Sequence, residues 1–343
     1  MGCEGCELYP TTAKIRSTVR SVLHGYAVDF PDTLATVDQL TAPGPQHTKL
    51  HIEEICRQIA AVAAPALPPS DLCRALREAI GPLYICYAAT LHRTFNTNGR
   101  NSGYASVFEQ PKTFSGRVAR MSLAGAPKPS EIADKPWLEG YRRLVFISDM
   151  GDALCSTVPF EFLLQEIVEP VSSEAGRRHV WLWLTKRPHR MAEFSDWLLA
   201  RGITWPDNLV AMTSVTSDAT VGRVRQLRRV AARYRALSVE PLWSDVELPL
   251  EGIDWVIVGG QSGANSKPFE VEWARRIIAQ CREAGASPFV KQLGAAPRVD
   301  GNPLNLVDGH GGDWTEENWP ADIRIRELPN AWRQAVLATE AAA

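Results

Sequence analysis

From about residue 83 onward, short apolar runs recur between longer stretches with helical spacing. The runs are PLYICYA, RLVFISDM, HVWLWLTKRP, NLVAMTSV, RALSVEPL, DWVIVGGQSG and SPFVKQLG. Between them lie VPFEFLLQEIVEPV, PHRMAEFSDWLLARG, VGRVRQLRRVAARY and VEWARRIIAQCREAG, which read as helices. Strands without polar alternation, separated by helices, mark a parallel sheet covered on both faces. Six or seven such units favour an α/β chain with a full or partial parallel (β/α) barrel, TIM-like, over an open sheet.

The pattern before residue 83 differs. Residues 11–82 read as a helical insert built from TTAKIRSTVRSVLHGYAV, TKLHIEEICRQIAAVA and SDLCRALREAI. The last of these has Ser70 as its expected N-cap and Gly81-Pro82 as its stop. Residues 95–140 are rich in Gly, Pro, Asn and Ser and predict a long loop over the barrel mouth. The expected organisation is a cysteine turn at 1–10, the insert at 11–82, a barrel at 83–297, and a flap and tail at 298–343.

Composition narrows the function classes. The 343 residues are 45% hydrophobic and 22% charged, ordinary for a globular protein with a substantial core. A net charge of -2 gives no global basic excess, so any nucleic-acid surface must be local. No apolar run approaches the length of a membrane span, and the start lacks a signal pattern, so a cytoplasmic protein away from membranes is expected. The cysteines number seven, an odd count without an export signal, which leaves metal, cluster or buried thiols rather than a disulfide framework.

Polar residues return in phase at the strand ends. These are Ser148, Asp149 and Asp152; Thr185, Lys186 and Arg187; Thr213 and Ser214; Ser238 and Glu240; Gly259, Gly260, Gln261 and Ser262; and Lys291 and Gln292. In parallel barrels the chemistry collects at this end, so they predict an active-site mouth. The paired glycines suit close approach of backbone to a ligand, or simply a tight turn. Cys3 and Cys6 form a C-x-x-C pair, a half-site for zinc or for an iron–sulfur cluster. A zinc site would need a further ligand such as Cys56, His24 or His92. The arginines of VGRVRQLRRVAARYR could meet phosphates, but a solvated outer helix face is the plainer reading. Tyr104 and Phe108 in the long loop could stack a base.

FISDMGD, LTKRPHRM, ALSVEPL, DWVIVGGQSG and FVKQLG, in order and spacing, resemble a phage- and bacterial-associated family of unknown function. That family looks like a divergent branch of the radical S-adenosylmethionine barrels, distantly similar to spore photoproduct lyase. Its three-cysteine motif ends in C-Y-A, here Cys86-Tyr87-Ala88. The resemblance implies that Cys3, Cys6 and Cys86 hold three irons of a 4Fe–4S cluster, leaving the fourth for S-adenosylmethionine. In this chain the helical insert separates Cys6 from Cys86.

The same resemblance implies the other roles. Ser148, Asp149 and Asp152 stand where such proteins contact the amino group of the cofactor, although SDMGD departs from the usual Gly-Gly-Glu-like segment. Lys186 or Arg187 would pair with its carboxylate. Ser214 and Glu240 would meet ribose or methionine; Gly259, Gly260 and Gln261 would pass adenine or substrate; Lys291 completes the set. Tyr87 would pack against adenine or serve in the core. Asp149, Lys186 and Glu240 are the expected catalytic groups. The implied substrate is a nucleic-acid base or nucleotide, in modification or repair. An electron donor of flavodoxin or ferredoxin type, and a separate partner protein, are the expected partners. Two rival readings stand beside this one: a structural zinc site, and a barrel that acts as a phage or host interaction module.

Overall fold

The computed structural model describes residues 12–25, 35, 39, 56–62, 69–80, 112–141, 143–148, 151–263, 266–315 and 317–333. The chain divides into two compact units, one of residues 1–113 with 150–155 and the other of residues 114–149 with 156–343.

In the first unit, helix α1 (Thr12–Gly25), a helical stretch at 56–62 and helix α2 (Pro69–Ile80) share one apolar cluster. Ile15, Val19 and Leu23 recur every fourth residue on α1, and Leu72, Leu76 and Ile80 do the same on α2. That spacing places each set on a single helix face, which packs with Cys56, Ile59 and Ala60. Cys56 is fully buried there, as expected of a cysteine acting as a small hydrophobe.

The second unit is a six-stranded parallel sheet curled into a half-barrel. Its strands are β1 (Leu144–Ile147), β2 (Val180–Thr185), β3 (Leu209–Ser214), β4 (Arg235–Val239), β5 (Trp255–Gly259) and β7 (Ser287–Gln292), adjacent in that order. Short β6 (Phe269–Glu270) pairs with β8 (Pro297–Val299), which pairs with β9 (Asn302–Pro303) in a separate small sheet. Sequential order with helical crossovers is the topology of a partial parallel barrel.

Strand alternation separates two faces. On β2, Trp181 and Trp183 face the helix layer, where Trp183 meets Phe194 of helix α3 (Pro188–Leu199) at 5.7 Å. Val180 and Leu182 face inward and share a core with Val210, Met212, Ala236, Trp255, Ile257 and Phe289. Helix α4 (Asp218–Leu227) begins at Ser217, with the Thr220 hydroxyl receiving the Thr216 and Ser217 N–H groups. It stops at Leu227, shorter than the sequence pattern suggests. Val230 and Ala232 are then buried as the chain turns into β4, with Ser195 Oγ accepting the Ala231 N–H at 2.9 Å. Helix α5 (Val271–Ala284) precedes β7 and ends at Gly285, whose φ of 74° is the left-handed stop that glycine tolerates.

Two regions depart from expectation. Within the segment read as a long loop, Arg117–Ser122 and Pro129–Asp134 are helical. Glu166 accepts the Gly116 N–H at 2.5 Å, and Arg143 holds Glu131 through two nitrogens at 3.2 and 3.3 Å. The later part of the segment read as a surface flap enters the core, where Trp319, Ile323, Leu328 and Trp332 are all buried, while Val307 ahead of it is 84% exposed. Its Ile325 carbonyl accepts the Val290 N–H at 2.8 Å, so residues 325–327 run antiparallel beside β7.

Candidate functional site

The period of two along each strand decides which polar residues share a face. Counting from the inward core residues, Ser214 follows Val210 and Met212, and Ser238 and Glu240 follow Ala236. Gly259 follows Trp255 and Ile257, and Lys291 follows Phe289. Lys186 and Ser148 occupy the matching positions beyond β2 and β1. The inner face thus grades from an aromatic floor to a polar carboxyl end. In the floor, Trp255 meets Phe289 at 5.5 Å and Trp332 at 5.2 Å, and Trp332 meets Tyr234 at 6.1 Å.

Glu240 and Lys291 meet at the polar end. Lys291 Nζ lies 3.2 Å from Glu240 Oε1 and 3.5 Å from Oε2. The Ser238 hydroxyl donates to Oε2 at 3.4 Å. Ser238 and Ser214, opposite each other in the register of β3 and β4, are buried. The Glu240–Pro241 peptide bond is cis.

The glycine pair is explained by packing. A methyl on Gly259 would lie 2.4 Å from Glu240 Oε1, and one on Gly260 would lie 2.1 Å from the Leu293 carbonyl oxygen. Gly259 therefore makes room for the carboxylate and Gly260 for the chain leaving β7. Gln261 is engaged as well: its Oε1 accepts from Trp243 Nε1 at 3.1 Å, and its carbonyl accepts the Ala295 N–H at 2.9 Å.

A family model, protein of unknown function (DUF5131), matches residues 78–326. The chain belongs to this family. No curated protein and no solved structure matches. The DUF5131 span takes in the whole half-barrel, the Glu240–Lys291 pair and Cys86, and leaves Cys3 and Cys6 outside it.

Other expected site residues of this DUF5131 chain take separate places. Ser148 ends β1 with φ of 65°, a left-handed conformation that costs a non-glycine residue about 1–2 kcal/mol. Asp152 belongs to the first unit, where its carboxylate accepts the Leu154 N–H at 3.0 Å. The Arg187 N–H is received by the Thr185 hydroxyl, and the Thr185 carbonyl in turn accepts from Thr213 at 2.8 Å. Cys3, Cys6, Cys86, Tyr87 and Asp149, with His92, Tyr104 and Phe108, lie outside the described residues. Among the described residues, no group of three or more His, Cys, Asp or Glu gathers to hold a metal.

Most of the arginine run of the DUF5131 span is paired at the protein surface. Arg228 pairs with Glu251, Arg229 with Asp196 at 3.7 Å, and Arg233 with Asp207 at 3.1 Å. Arg223 donates to the Ser214 carbonyl and Arg235 to the Val230 carbonyl. Charges already met by carboxylates and carbonyls make a poor phosphate track.

Sequence reasoning missed the support behind Lys291. Arg326 donates to the carbonyl oxygens of Val290, Lys291 and Gly312. The rings of Trp137, Trp314, Trp319 and Phe289 surround its guanidinium at 4.6 to 5.7 Å. Burial pushes its pKa down to about 10, which leaves it cationic at neutral pH. A signal for this arrangement existed: Ile323, Arg324, Ile325 and Arg326 alternate with the period of a strand.

Proposed function

We propose that this DUF5131 protein is a radical S-adenosylmethionine-type iron–sulfur enzyme acting on a nucleic-acid base or nucleotide. The observation that carries the reading is one inner sheet face with two levels. Aromatic residues close its floor, while Ser214, Ser238, Glu240 and Lys291 gather at the carboxyl end of sequential parallel strands. A ligand bearing amino, carboxyl and hydroxyl groups needs this donor and acceptor set, and the apolar floor beneath it excludes water.

In this reading Cys3, Cys6 and Cys86 hold a 4Fe–4S cluster, with three thiolates leaving one iron open to a ligand. When bound, the cluster and S-adenosylmethionine supply hydrogen-atom abstraction from the substrate. The chain's own groups do the positioning: Lys291 offers a cation, Ser214 offers a hydroxyl, and Ser238 orients the Glu240 carboxyl group against the lysine. Because Arg228, Arg229 and Arg233, which follow α4, are already paired with carboxylates, the proposed substrate is a base or nucleotide reaching the inner face, rather than a duplex lying along that segment.

The test is anaerobic iron and sulfide analysis of the wild type and Cys86→Ala, with an assay for 5′-deoxyadenosine after dithionite reduction in the presence of S-adenosylmethionine. One cluster per chain in the wild type, lost in the variant, together with 5′-deoxyadenosine formation, is the expected result. Stoichiometric zinc without iron, or no cleavage by the iron-loaded protein, overturns the proposal.

A further inference from the structure

We infer that Lys291 is the ligand-facing cation of the inner face, receiving a carboxylate or phosphate oxygen, with Glu240 behind it as a positioning residue. The inference deepens the reading of this sheet end as the ligand site, but does not depend on radical chemistry.

The two partners are unequally exposed. The Lys291 side chain is 54% exposed and that of Glu240 14%. The carboxylate is therefore the more deeply buried of the pair, and the ammonium the more open to solvent. Their contacts, at 3.2 and 3.5 Å, are longer than the 2.6 Å pair of Arg282 and Glu327 on the same unit. An ammonium carries three N–H donors, and one loose carboxylate does not use them all. A ligand anion arriving from the open side meets a cation whose position is already set.

That position is set from three sides. Ser238 donates to Glu240 Oε2, and the missing side chain of Gly259 gives Oε1 its room. The register slips between Val258 and Gly259, bringing Gly259 opposite Gln292, next to Lys291. Arg326 Nη2 fixes the Lys291 carbonyl at 2.7 Å. Gly259 and Ser238 thereby act through Glu240 and need not touch ligand.

The experiment follows the Lys291 side-chain NMR signal in the full chain, assigned by its loss in Lys291→Gln. Sodium phosphate and sodium acetate are titrated separately at constant ionic strength, with chloride as reference. A saturable shift with at least one of them, beyond chloride, is expected; the acetate and phosphate arms distinguish a carboxylate from a phosphate ligand. Gly259→Ala pushes the carboxylate aside and weakens the binding on the order of tenfold, the scale of a charged hydrogen bond. Gly259→Ala/Glu240→Asp, whose shorter acid clears the new methyl, regains much of it, which a purely structural role for Gly259 does not explain. Shifts that only track chloride overturn the inference, as does wild-type affinity in a folded Gly259→Ala. If Gly259→Ala does not fold, the wild-type titrations alone decide the ligand-facing role. Absence of iron from the purified protein sinks the radical reading and leaves anion binding at Lys291 to stand or fall on the titration.

Discussion

Arg326 Nη2 donates to the carbonyl oxygen of Lys291 at 2.7 Å, tying the C-terminal segment to the backbone of the candidate ligand-binding lysine. The same guanidinium bonds the carbonyls of Val290 and Gly312 and lies among four aromatic rings. Lysine keeps the charge but lacks the planar fork and stacks less well on rings. Arg326→Lys is therefore expected to lower stability by about 2–4 kcal/mol, the sum of lost charged hydrogen bonds and ring contacts. Urea unfolding measures it. The variant's Lys291 NMR signal should also move, because the strand beneath that side chain loses its clamp.

Trp332 closes the aromatic floor from the C-terminal segment, at 1% exposure. Trp332→Ala should cost about 3–5 kcal/mol, the usual range for emptying a buried large ring. Its indole Nε1 has no hydrogen-bond partner among the described residues, so the polar atom contributes nothing that phenylalanine would lose. Trp332→Phe should therefore retain most of the stability. Comparing the two melts separates ring volume from the N–H group.

The six sheet strands were legible because their central residues are largely apolar on both faces, and a buried run such as VWLWLT has few other readings; the expected first strand, PLYICYA, lies outside the described residues. Which of its residues face inward was not, since Val180 and Trp181 are alike in polarity and only the fold distinguishes them. The polar end of the sheet was visible as a set of strand-terminal residues. The pairing of Glu240 with Lys291 was not, because 51 positions separate them and the sheet alone brings them together. The helix at Arg117–Ser122 was hidden for a similar reason: it is six residues long, and the carboxylate that anchors its start is Glu166, 50 positions away from Gly116. The C-terminal segment misled through its Gly, Asp and Pro content, although its alternating Ile and Arg carried a strand signal.

Cys281 sits on the buried face of α5, and burial pushes its thiol up to about 12. At pH 8 the thiolate fraction is then about one in ten thousand, against roughly a quarter for an ordinary thiol. Iodoacetamide should leave Cys281 unmodified in the native protein and label it once urea unfolds the chain, as peptide mass mapping would reveal. The folded thiol holds its proton more tightly than the unfolded one, so its contribution to stability is complete below the unfolded pKa and falls as pH rises toward about 12.

Asp308 organises the loop before the clamp. Its Oδ1 accepts the His310 and Gly311 N–H groups at 3.3 and 2.8 Å, and Oδ2 accepts those of Gly312 and Asp313 at 2.8 and 2.7 Å. Burial alone would raise the carboxyl, but these four donors outweigh it and hold the pKa below the usual carboxylate range. A depressed folded pKa contributes stability that is present above the unfolded value and is lost as pH falls through the folded one. Asn keeps one acceptor oxygen and leaves two N–H groups without theirs. Asp308→Asn should therefore cost about 1–2 kcal/mol at pH 7, the range of a lost capping carboxylate. The gap should narrow as the pH falls below the usual carboxylate range, where the wild-type carboxyl takes up its proton and loses part of the same advantage. Because Gly312 also offers its carbonyl to Arg326, loosening this loop should be felt at Lys291 as well. Equal unfolding midpoints for Asp308→Asn and wild type at pH 7 would show that the loop is held by other contacts.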